Sequence, residues 1–460
     1  MRVLRARWLW TGGAMIRDGA LRVDSDGNLA DVGPASSLIA PGETAHETFE
    51  DGLILPGAVN SHSHAWQILL RGRVDFPKDF RDWVDRGLYP YLVDLDDDRL
   101  EAGCLLAFSE MALSGVTSVG EFHYVHNGPA ATDPLGAVER DALVIRAARR
   151  VGLRITLLRS FYDLGEKSGQ DRFRETPTES VDRLDALDEL FDDDPNVNLA
   201  AAPHSLHGAS EGAIRTAFAW AEARDRPCHI HLAEQREDLE VSQTRYGTTP
   251  LRALERMGIL TPRLVCVHGV WLDPDECRAL GTAGAGLAYN PTSNLALGDG
   301  ISALSEMAEA GVCISLGTDG ACANNQVDLL AEVRRAEQLQ RIRHLRMGVL
   351  PPLLKDSDIP SPAQRLLRLA TANGARNLGT HAGSLAPGRA ADFIVLDTKD
   401  LSLLPHDPKG DGEDLLANVV NALSVRSALH ASFVAGRSIV RDGQLTSVHP
   451  VDFVGRLQSG

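Results

Sequence analysis

The feature that most constrains the fold is a repeated pattern, in which a short apolar segment ends on a histidine or an aspartate just before a polar loop. Segments with helix-like composition separate these apolar segments, and alternating strands and helices imply a parallel sheet. Polar residues at the carboxyl ends of strands are where a (β/α)8 barrel builds its active site. The sequence therefore predicts an α/β protein with a (β/α)8 TIM-like barrel. The pattern occurs at residues 200–204, 228–231, 264–268 and 312–319, which end on His204, His231, His268 and Asp319.

A fifth apolar segment, residues 53–55, leads through Pro56-Gly57 to two histidines, His62 and His64. On an extended strand, residues i and i+2 point to the same face, so both imidazoles can reach one ion. Imidazole is the commonest protein ligand for zinc and similar metals. A His-x-His pair alone is weak evidence, because paired surface histidines are frequent. The further donors at strand ends are what make a metal site the favoured interpretation.

We expect His62, His64, His231 and Asp319 to surround one divalent metal ion. Three imidazole nitrogens and one carboxylate suit zinc, with iron(II) as the alternative, and leave room for a water molecule. Such an ion lowers the pKa of a bound water to about 7, which makes hydroxide available at neutral pH. The sequence therefore predicts a hydrolytic metal site.

Two choices within this ligand set rest on strand position. His229 and His231 share one face of the same predicted strand, and we take His231 as the ligand because it lies at the strand's end. We interpret His229 as a residue that packs in the core or supports the metal ligands without binding the ion. The predicted strand before His204 contains no lysine that could be carbamylated to bridge two metals. A mononuclear site is therefore favoured over a binuclear one.

Three residues are candidates for catalysis, namely Glu234, His268 and Asp319. Glu234 follows His231 by three residues, and burial over the ion would raise its pKa toward the working pH, as a general acid and base requires. Its alternative is an ordinary acid in the first turn of a helix. His268 can polarise the substrate or steady the attacking hydroxide. Asp319 can bind metal and also shuttle a proton.

Charge and composition exclude several classes of partner. The formal net charge of −17 argues against nucleic acid or an anionic membrane as partner, and no segment has the length of a membrane span. The N-terminal residues lack the apolar stretch of a signal peptide. The six cysteines form no Cys-x-x-Cys pair and several lie in predicted buried strands, which fits reduced thiols. We therefore expect a soluble, cytoplasmic protein.

The two ends of the chain differ from its middle. Residues 1–55 and 385–460 are rich in short strands with Gly/Asp turns, and neither end could bury enough area alone. We expect both ends to assemble one small β-sandwich domain. Residues 56–384 alternate strands and helices and are expected to form the barrel of the metal-dependent hydrolase.

In its sequence motifs the chain resembles the amidohydrolase superfamily, specifically the branch of cytosine-deaminase-like and chlorohydrolase-like enzymes. The resemblance is carried by the motifs LPGAVNSHSH, APHS, HIHLAE, VCVHG, YNPTSNLALGDGI and GTDGACANNQVDLLAEVR, and by GSLAPGRAADFIVLD and VAGRSIVRDG near the C-terminus. These motifs occur in the family's order over nearly the whole chain. The resemblance implies metal binding by His62, His64, His231 and Asp319, with Glu234 as acid/base and His268 beside the metal.

Three groups within that branch imply different substrate contacts. His204 and the motif around Asn290 are similar to methylthioadenosine/S-adenosylhomocysteine deaminases, but residues 83–94 lack the glutamate that those enzymes place on the ribose diol. Gln67 and Tyr124 match substrate-holding residues of formiminoglutamate deiminases, in which an arginine stands at the position of His207. The segments 87–90 and 159–169, with Arg159, resemble 8-oxoguanine deaminases and triazine hydrolases. The resemblance thus implies substrate contacts for Gln67, Tyr124, Arg159, His204 and His207.

The predicted activity is hydrolytic deamination of a small nitrogen heterocycle (a purine, pyrimidine, pterin or triazine-like ring) with release of ammonia. The alternative within the same chemistry is an iminohydrolase that acts on a linear formimino group. Hydrolysis of a cyclic imide is less favoured, because the binuclear members that perform it usually carry the bridging lysine. A non-catalytic metal-stabilised binding protein is the alternative from another class. The expected partner is a small molecule, and a homo-oligomer is compatible with the family, in which dimers are common.

Overall fold

Two eight-stranded sheets organise the computed structural model, which describes residues 1–73, 77–129, 136–167, 169–324, 326–354 and 361–458. The strands, in chain order, are β1 (Arg2–Trp10), β2 (Met15–Val23), β3 (Leu29–Pro34), β4 (Glu47–Pro56), β5 (Ala58–Ser63), β6 (Val116–His123), β7 (Arg154–Phe161), β8 (Val197–Pro203), β9 (Cys228–Leu232), β10 (Leu264–His268), β11 (Gly286–Tyr289), β12 (Cys313–Leu316), β13 (Phe393–Asp397), β14 (Leu429–Val434), β15 (Arg437–Arg441) and β16 (Gln444–Leu445).

Helices occupy most of the connections between the strands. Short 3-10 helices cover Ala65–Leu70, Gln170–Arg172 and Leu401–Leu403, and a π-helix covers Val84–Leu88. The α-helices are α1 (Ala35–Leu38), α2 (Phe80–Trp83), α3 (Tyr89–Val93), α4 (Asp97–Ala112), α5 (Gly136–Val151), α6 (Pro177–Phe191), α7 (Glu211–Ala223), α8 (Arg236–Tyr246), α9 (Pro250–Arg256), α10 (Pro274–Thr282), α11 (Pro291–Leu297), α12 (Leu304–Glu309), α13 (Ala321–Asn324), α14 (Leu329–His344), α15 (Pro362–Leu369), α16 (Ala372–Asn377), α17 (Glu413–Asn421) and α18 (Val451–Gln458).

The eight strands β5 to β12 form the barrel, and each pairs in parallel with the next one along the chain. The last strand returns to the first, because Ser63 forms a bridge with Asp319 just beyond β12. The backbone N–H groups of Thr318 and Asp319 both donate to the carbonyl of His62, at 3.1 Å each. This arrangement confirms the predicted (β/α)8 barrel.

Barrel strands such as β6, β7 and β9 are buried at every residue. This is expected of a parallel sheet whose outer face is covered by helices. Capping residues begin several of those helices. Thr176 caps α6 and forms a capping box with Glu179, and Asp96 caps α4 by accepting from the backbone N–H of Arg99.

Strands from both chain ends form the second sheet, in the order β16-β15-β14-β13-β4-β1-β2-β3. It is mixed, because β1 and β4 run parallel while the other neighbours are antiparallel. A separate apolar core stabilises it, in which the rings of Phe393 and Phe433 stack with centroids 4.5 Å apart. The prediction that the termini assemble one β-domain is confirmed. The exact limits 1–55, 56–384 and 385–460 stay a prediction.

The C-terminal residues contain helices that the sequence reasoning did not identify, α17 and α18. Helix α17 buries Leu415, Leu416, Val419 and Val420. All six cysteines lie in the described part of the chain, where they are buried and form no disulfide. Within the described ranges, no helix combines the length and the apolar character needed to cross a membrane.

Candidate metal centre

The four expected ligands meet at the carboxyl end of the barrel. His62 and His64 lie at the end of β5, His231 lies on β9, and Asp319 follows β12. The Nε2 atoms of His62 and His64 lie 3.6 and 3.5 Å from Asp319 Oδ1, and the Nε2 atoms of His62 and His231 are 3.3 Å apart. Ligands of a tetrahedral zinc-sized ion lie about 3.4 Å from one another, given metal–ligand bonds of about 2.1 Å. The donor set therefore fits a divalent ion.

Hydrogen bonds on the far side of two imidazoles fix how these rings face the centre. His64 donates from Nδ1 to the carbonyl of Phe122, and His231 donates from Nδ1 to the carbonyl of His204, at 2.8 Å each. Each ring therefore carries its proton on Nδ1 and presents the lone pair of Nε2 to the centre. A metal-binding histidine is normally oriented by this kind of hydrogen bond.

Burial keeps the imidazoles neutral and therefore able to bind a cation. It lowers the pKa of His62 to about 3 and also lowers the pKa values of His64 and His231. Burial alone would raise the pKa of Asp319, but hydrogen bonding and charge interactions with the surrounding imidazoles hold it far below its usual range. The centre thus combines neutral nitrogens with an ionised carboxylate.

Glu234 lies beside this centre on the loop after β9. Its carboxyl group lies 3.5 Å from Nε2 of His268, measured to Oε1. Burial raises its pKa well above the usual range, and the nearby carboxylates Asp299, Asp319 and Asp238 raise it further. Asp238 holds the turn in place by accepting from the backbone N–H groups of Glu234 and Gln235, at 3.0 and 3.1 Å. Glu234 is therefore a carboxyl group with a raised pKa close to the expected metal position.

Backbone strain is concentrated at these strand ends. Ala233, His268 and Asp319 have φ values of 50°, 71° and 57°, in the left-handed region that favours glycine. Such conformations cost on the order of 1–3 kcal/mol each and persist where the surrounding structure enforces them. All three residues adjoin or belong to the candidate centre, which is where stored strain is typical of a functional site.

A cavity lies above the centre and opens to solvent. Six of its lining residues are phenylalanine, tyrosine or tryptophan, and they come from the segment 80–89, from the residues just after β6 and β7, and from the residue just after the 3-10 helix Gln170–Arg172. The lining residues are His64, Gln67, Phe80, Trp83, Val84, Leu88, Tyr89, Tyr124, Tyr162, Phe173, His204, His207, His231, Glu234, His268, Leu297 and Asp319.

Four of the five expected substrate-binding residues line this cavity. Gln67 donates from Nε2 to the hydroxyl of Tyr124 at 2.6 Å, which fixes both side chains. His204 lies 2.9 Å from the hydroxyl of Ser205, measured from Nδ1, and His207 pairs with Asp238 at 3.1 Å near the cavity mouth. The structure thus brings Gln67, Tyr124, His204 and His207 together around one space.

Arg159 is the exception, because the structure does not bring it to the cavity. Its guanidinium is fully buried, where it donates to Asp141 at 2.7 Å and to both oxygens of Glu175 at 2.9 Å each. Asp141 also pairs with His126 at 2.8 Å. This placement corrects the expectation that Arg159 contacts substrate: its donors are used within a buried ionic network.

Apart from Tyr124, the aromatic residues of the cavity wall were not identified as substrate contacts from the sequence. Phe80, Trp83 and Tyr89 lie in short helical pieces between β5 and α4, and Phe173 lies just after the 3-10 helix Gln170–Arg172. Segments this short have no usable periodicity, so only the resemblance of residues 87–90 and 159–169 to known enzymes pointed there. Tyr162 could have been found, because it directly follows β7 at the active end of the barrel.

The comparison with known families decides the class of the protein. A family model described as the amidohydrolase family matches residues 53–438, which include all of the candidate centre. The chain belongs to the amidohydrolase family. The match confirms the predicted resemblance of this chain to the amidohydrolase superfamily. It also confirms the prediction of an enzyme that hydrolyses carbon–nitrogen bonds and uses a divalent metal.

Curated relatives extend over most of the chain. A 5'-deoxyadenosine deaminase of Methanothermobacter thermautotrophicus is 32% identical over 394 residues, covering 85% of this chain and 83% of the relative. A 5-methylthioadenosine/S-adenosylhomocysteine deaminase of Pyrococcus furiosus is 31% identical over 432 residues, covering 92% and 91%. The amidohydrolase described here is therefore similar to deaminases over nearly its full length.

Solved structures agree with this fold. A zinc-bound adenosine deaminase from Xanthomonas campestris has a TM-score of 0.84 and 25% identity, covering 99% of this chain and 96% of that one. An atrazine chlorohydrolase from Arthrobacter aurescens, complexed with zinc, also has a TM-score of 0.84, at 22% identity and with coverage of 100% and 99%. The similarity to the atrazine chlorohydrolase supports the fold alone, because the sequence identity is low.

Proposed function

We propose that this amidohydrolase is a metal-dependent aminohydrolase that releases ammonia from an amidine-type carbon of a small nitrogen heterocycle. One observation carries the proposal: three imidazole nitrogens and a carboxylate oxygen converge next to the partly buried acid Glu234, at the base of an aromatic cavity. The named activities of the relatives, which are deaminases of adenosine-type nucleosides, support the same reaction class.

Zinc is the metal that we propose for His62, His64, His231 and Asp319. Its tetrahedral geometry and its preference for nitrogen and carboxylate ligands suit this donor set. When bound, zinc supplies Lewis-acid activation of water at neutral pH. The protein's part is to hold four donors in place with rings that are neutral and already oriented.

Glu234 carries the proton in the proposed reaction. Water adds to the amidine carbon, the carbon–nitrogen bond to the amino group breaks, and the products are a ring carbonyl and ammonia. A carboxyl group with a raised pKa can accept a proton from water and return it to the departing nitrogen. His268, whose Nε2 lies 3.5 Å from Glu234, is placed to hydrogen-bond the reacting atoms. The second oxygen of Asp319 accepts from the hydroxyl of Ser293, which orients the carboxylate.

The cavity wall favours a planar ring over a linear amidine. Tyr124, Tyr162 and Phe173 present aromatic surface, and Tyr124 and Phe173 meet edge to face with centroids 4.8 Å apart. Planar heterocycles bind well against such faces. The described residues that line this cavity include no arginine or lysine to pair with the carboxylates of formiminoglutamate, although Arg81 and Lys167 line the adjoining pocket. The pair of Gln67 and Tyr124 is a feature that the linear alternative shares.

Ammonia release tests the proposal directly. The zinc-loaded enzyme is assayed with adenosine-type nucleosides, free purines, pyrimidines, pterins and aminotriazines, and in parallel with formiminoglutamate. We expect turnover of at least one heterocycle, and loss of that turnover in Glu234→Gln. The matched control is Glu237→Gln, an exposed neighbour paired with Arg81 at the protein surface. Turnover of formiminoglutamate alone would contradict the proposal.

A further inference from the structure

Two buried amides and a buried acid surround the outer side of His268. Asn290 and Asn294 flank the start of α11, and Asp299 follows that helix; each of the three is at most 2% exposed. Asn294 Nδ2 lies 3.1 Å from His268 Nδ1, and Asn290 Nδ2 lies 3.4 Å from the same atom. The proposed reaction assigns no role to these three residues.

The carboxylate of Asp299 determines which way the amide of Asn294 faces. Asn294 donates from Nδ2 to Asp299 Oδ2 at 2.7 Å, and the other oxygen of Asp299 accepts from the side-chain amide of Gln235. Burial raises the pKa of Asp299 to about 7, and above that pH its carboxylate, whose two oxygens both face amide groups, acts only as an acceptor. If the amide of Asn294 were reversed, two acceptor oxygens would face each other inside the protein. Asn294 therefore presents N–H groups to both Asp299 and His268.

This orientation fixes the proton on His268. An N–H donor at Nδ1 requires a lone pair there, so the neutral imidazole must carry its proton on Nε2. We propose that Asn294, held by Asp299, is a positioning residue that keeps His268 in the Nε2–H tautomer. Nε2 is the atom that faces the cavity, where it lies 3.5 Å from Glu234.

The tautomer has two consequences for the metal centre. His268 can donate a hydrogen bond to an oxygen or nitrogen in the cavity. It also has no lone pair on Nε2, although its ring nitrogen lies within 4.8 Å of those of His62 and His231. A histidine in the opposite tautomer would be able to compete for the ion. The chain of Asp299, Asn294 and His268 thus separates the histidine that donates from the histidines that bind metal.

The tautomer can be measured without substrate. Zinc-loaded enzyme is labelled with 15N-histidine, and long-range 1H–15N NMR distinguishes protonated from unprotonated ring nitrogens. The signals of His268 are assigned by their loss in His268→Gln. We expect an unprotonated Nδ1 and a protonated Nε2 in the wild type. A protonated Nδ1 in the wild type would overturn the proposal.

Two variants test the positioning role, Asn294→Leu and Asp299→Asn. Leucine removes the donor at similar volume, and an amide at position 299 no longer dictates the orientation of Asn294. In each, we expect a measurable share of the Nδ1–H tautomer, unchanged zinc content, and a fall in kcat on the order of 10- to 100-fold with little change in KM. Unchanged His268 signals in a folded, zinc-loaded Asp299→Asn or Asn294→Leu enzyme would refute the role.

A control on the same helix separates this effect from general disturbance of α11. The hydroxyl of Thr292 donates to Glu332 and not to His268, so Thr292→Val removes a nearby buried hydrogen bond. We expect it to leave the signals of His268 as in the wild type. The kinetic consequence rests on the proposed function, whereas the tautomer is read in the resting enzyme. If no heterocycle is deaminated, the NMR result still decides the role of Asn294.

Discussion

Replacement of Arg159 by methionine distinguishes a structural from a substrate-binding role for this residue. Arg159→Met keeps the length and apolar stem of the side chain but leaves Asp141 and Glu175 without the buried cation that contacts both. Breaking a buried ion pair by removing one partner costs about 3–5 kcal/mol, because the remaining charge is desolvated. Arg183 still contacts Glu175 and His126 still contacts Asp141, so the lower part of this range applies. We therefore expect a large loss of stability and little change in substrate binding.

The pH dependence of stability tests the part of this network that acts through Glu175. Burial alone would raise the pKa of Glu175, but interactions with His126 and Arg159 hold it at about 2, below its ordinary 4.5. A depressed pKa contributes stability that is present above the ordinary value and is lost as pH falls through the lower one. A difference of about 2.5 pH units corresponds to roughly 3 kcal/mol. The stability gap between wild type and variant should therefore narrow between about pH 5 and pH 2.

Thermal unfolding and steady-state kinetics together distinguish a structural role of Arg159 from a substrate-binding role. With an unfolding entropy of about 2.1 cal/mol/K per residue, a loss of 3–5 kcal/mol lowers Tm by roughly 3–5 °C if all 460 residues unfold together. The control is Arg146→Met, which breaks an exposed pair with Glu139 and should change stability by less than about 1 kcal/mol. A Tm like that of the control, combined with a strongly raised KM, would refute the structural role.

Three further outcomes follow from the centre and its surroundings. His62→Ala should lose bound metal, whereas Glu234→Gln should keep it and lose turnover on the order of 100-fold or more; metal analysis beside kcat checks both. Burial raises the pKa of Glu121 to about 8, so the metal-free wild type should lose about 1.4 kcal/mol of stability per pH unit from about pH 5 to pH 8. Glu121→Gln should lack that loss in denaturant titrations, and parallel pH profiles would contradict a protonated Glu121. Gly320→Ala should lower kcat/KM about tenfold without loss of metal, because the new Cβ would lie 1.8 Å from Gln67 Oε1; unchanged kinetics would show that Gln67 makes no substrate contact.

The barrel and the candidate ligands could be predicted because the relevant signals are local. Strand periodicity places His62 and His64 on one face, and apolar segments that end on His231, His268 and Asp319 mark the active end of a parallel barrel. These cues need no knowledge of long-range packing. The ligand roles themselves remain predictions that metal analysis will test.

The substrate contacts were harder to predict because barrel strands are buried on both faces. Every residue of β7 is buried, so the hydrophobic pattern does not reveal whether Arg159 points to the cavity or to the helices. The structure resolves the choice by pairing it with Asp141 and Glu175. Helix α17 is a different case, because Leu415, Leu416, Val419 and Val420 have the spacing of an amphipathic helix and could have been recognised.

The candidate metal centre also lies on the seam where the barrel closes. Asn60 on β5 donates to the hydroxyl of Thr318 at 2.8 Å, across 258 positions of sequence, and the backbone N–H of Thr318 donates back to Asn60 at 3.1 Å. Gly317 allows this approach, since a Cβ there would lie 2.7 Å from that of His62. An ion shared by His62 and Asp319 would therefore join the first and last barrel strands. Closure of the barrel and assembly of the catalytic centre depend on the same contacts, which explains why sequence motifs so far apart along the chain carry one chemistry.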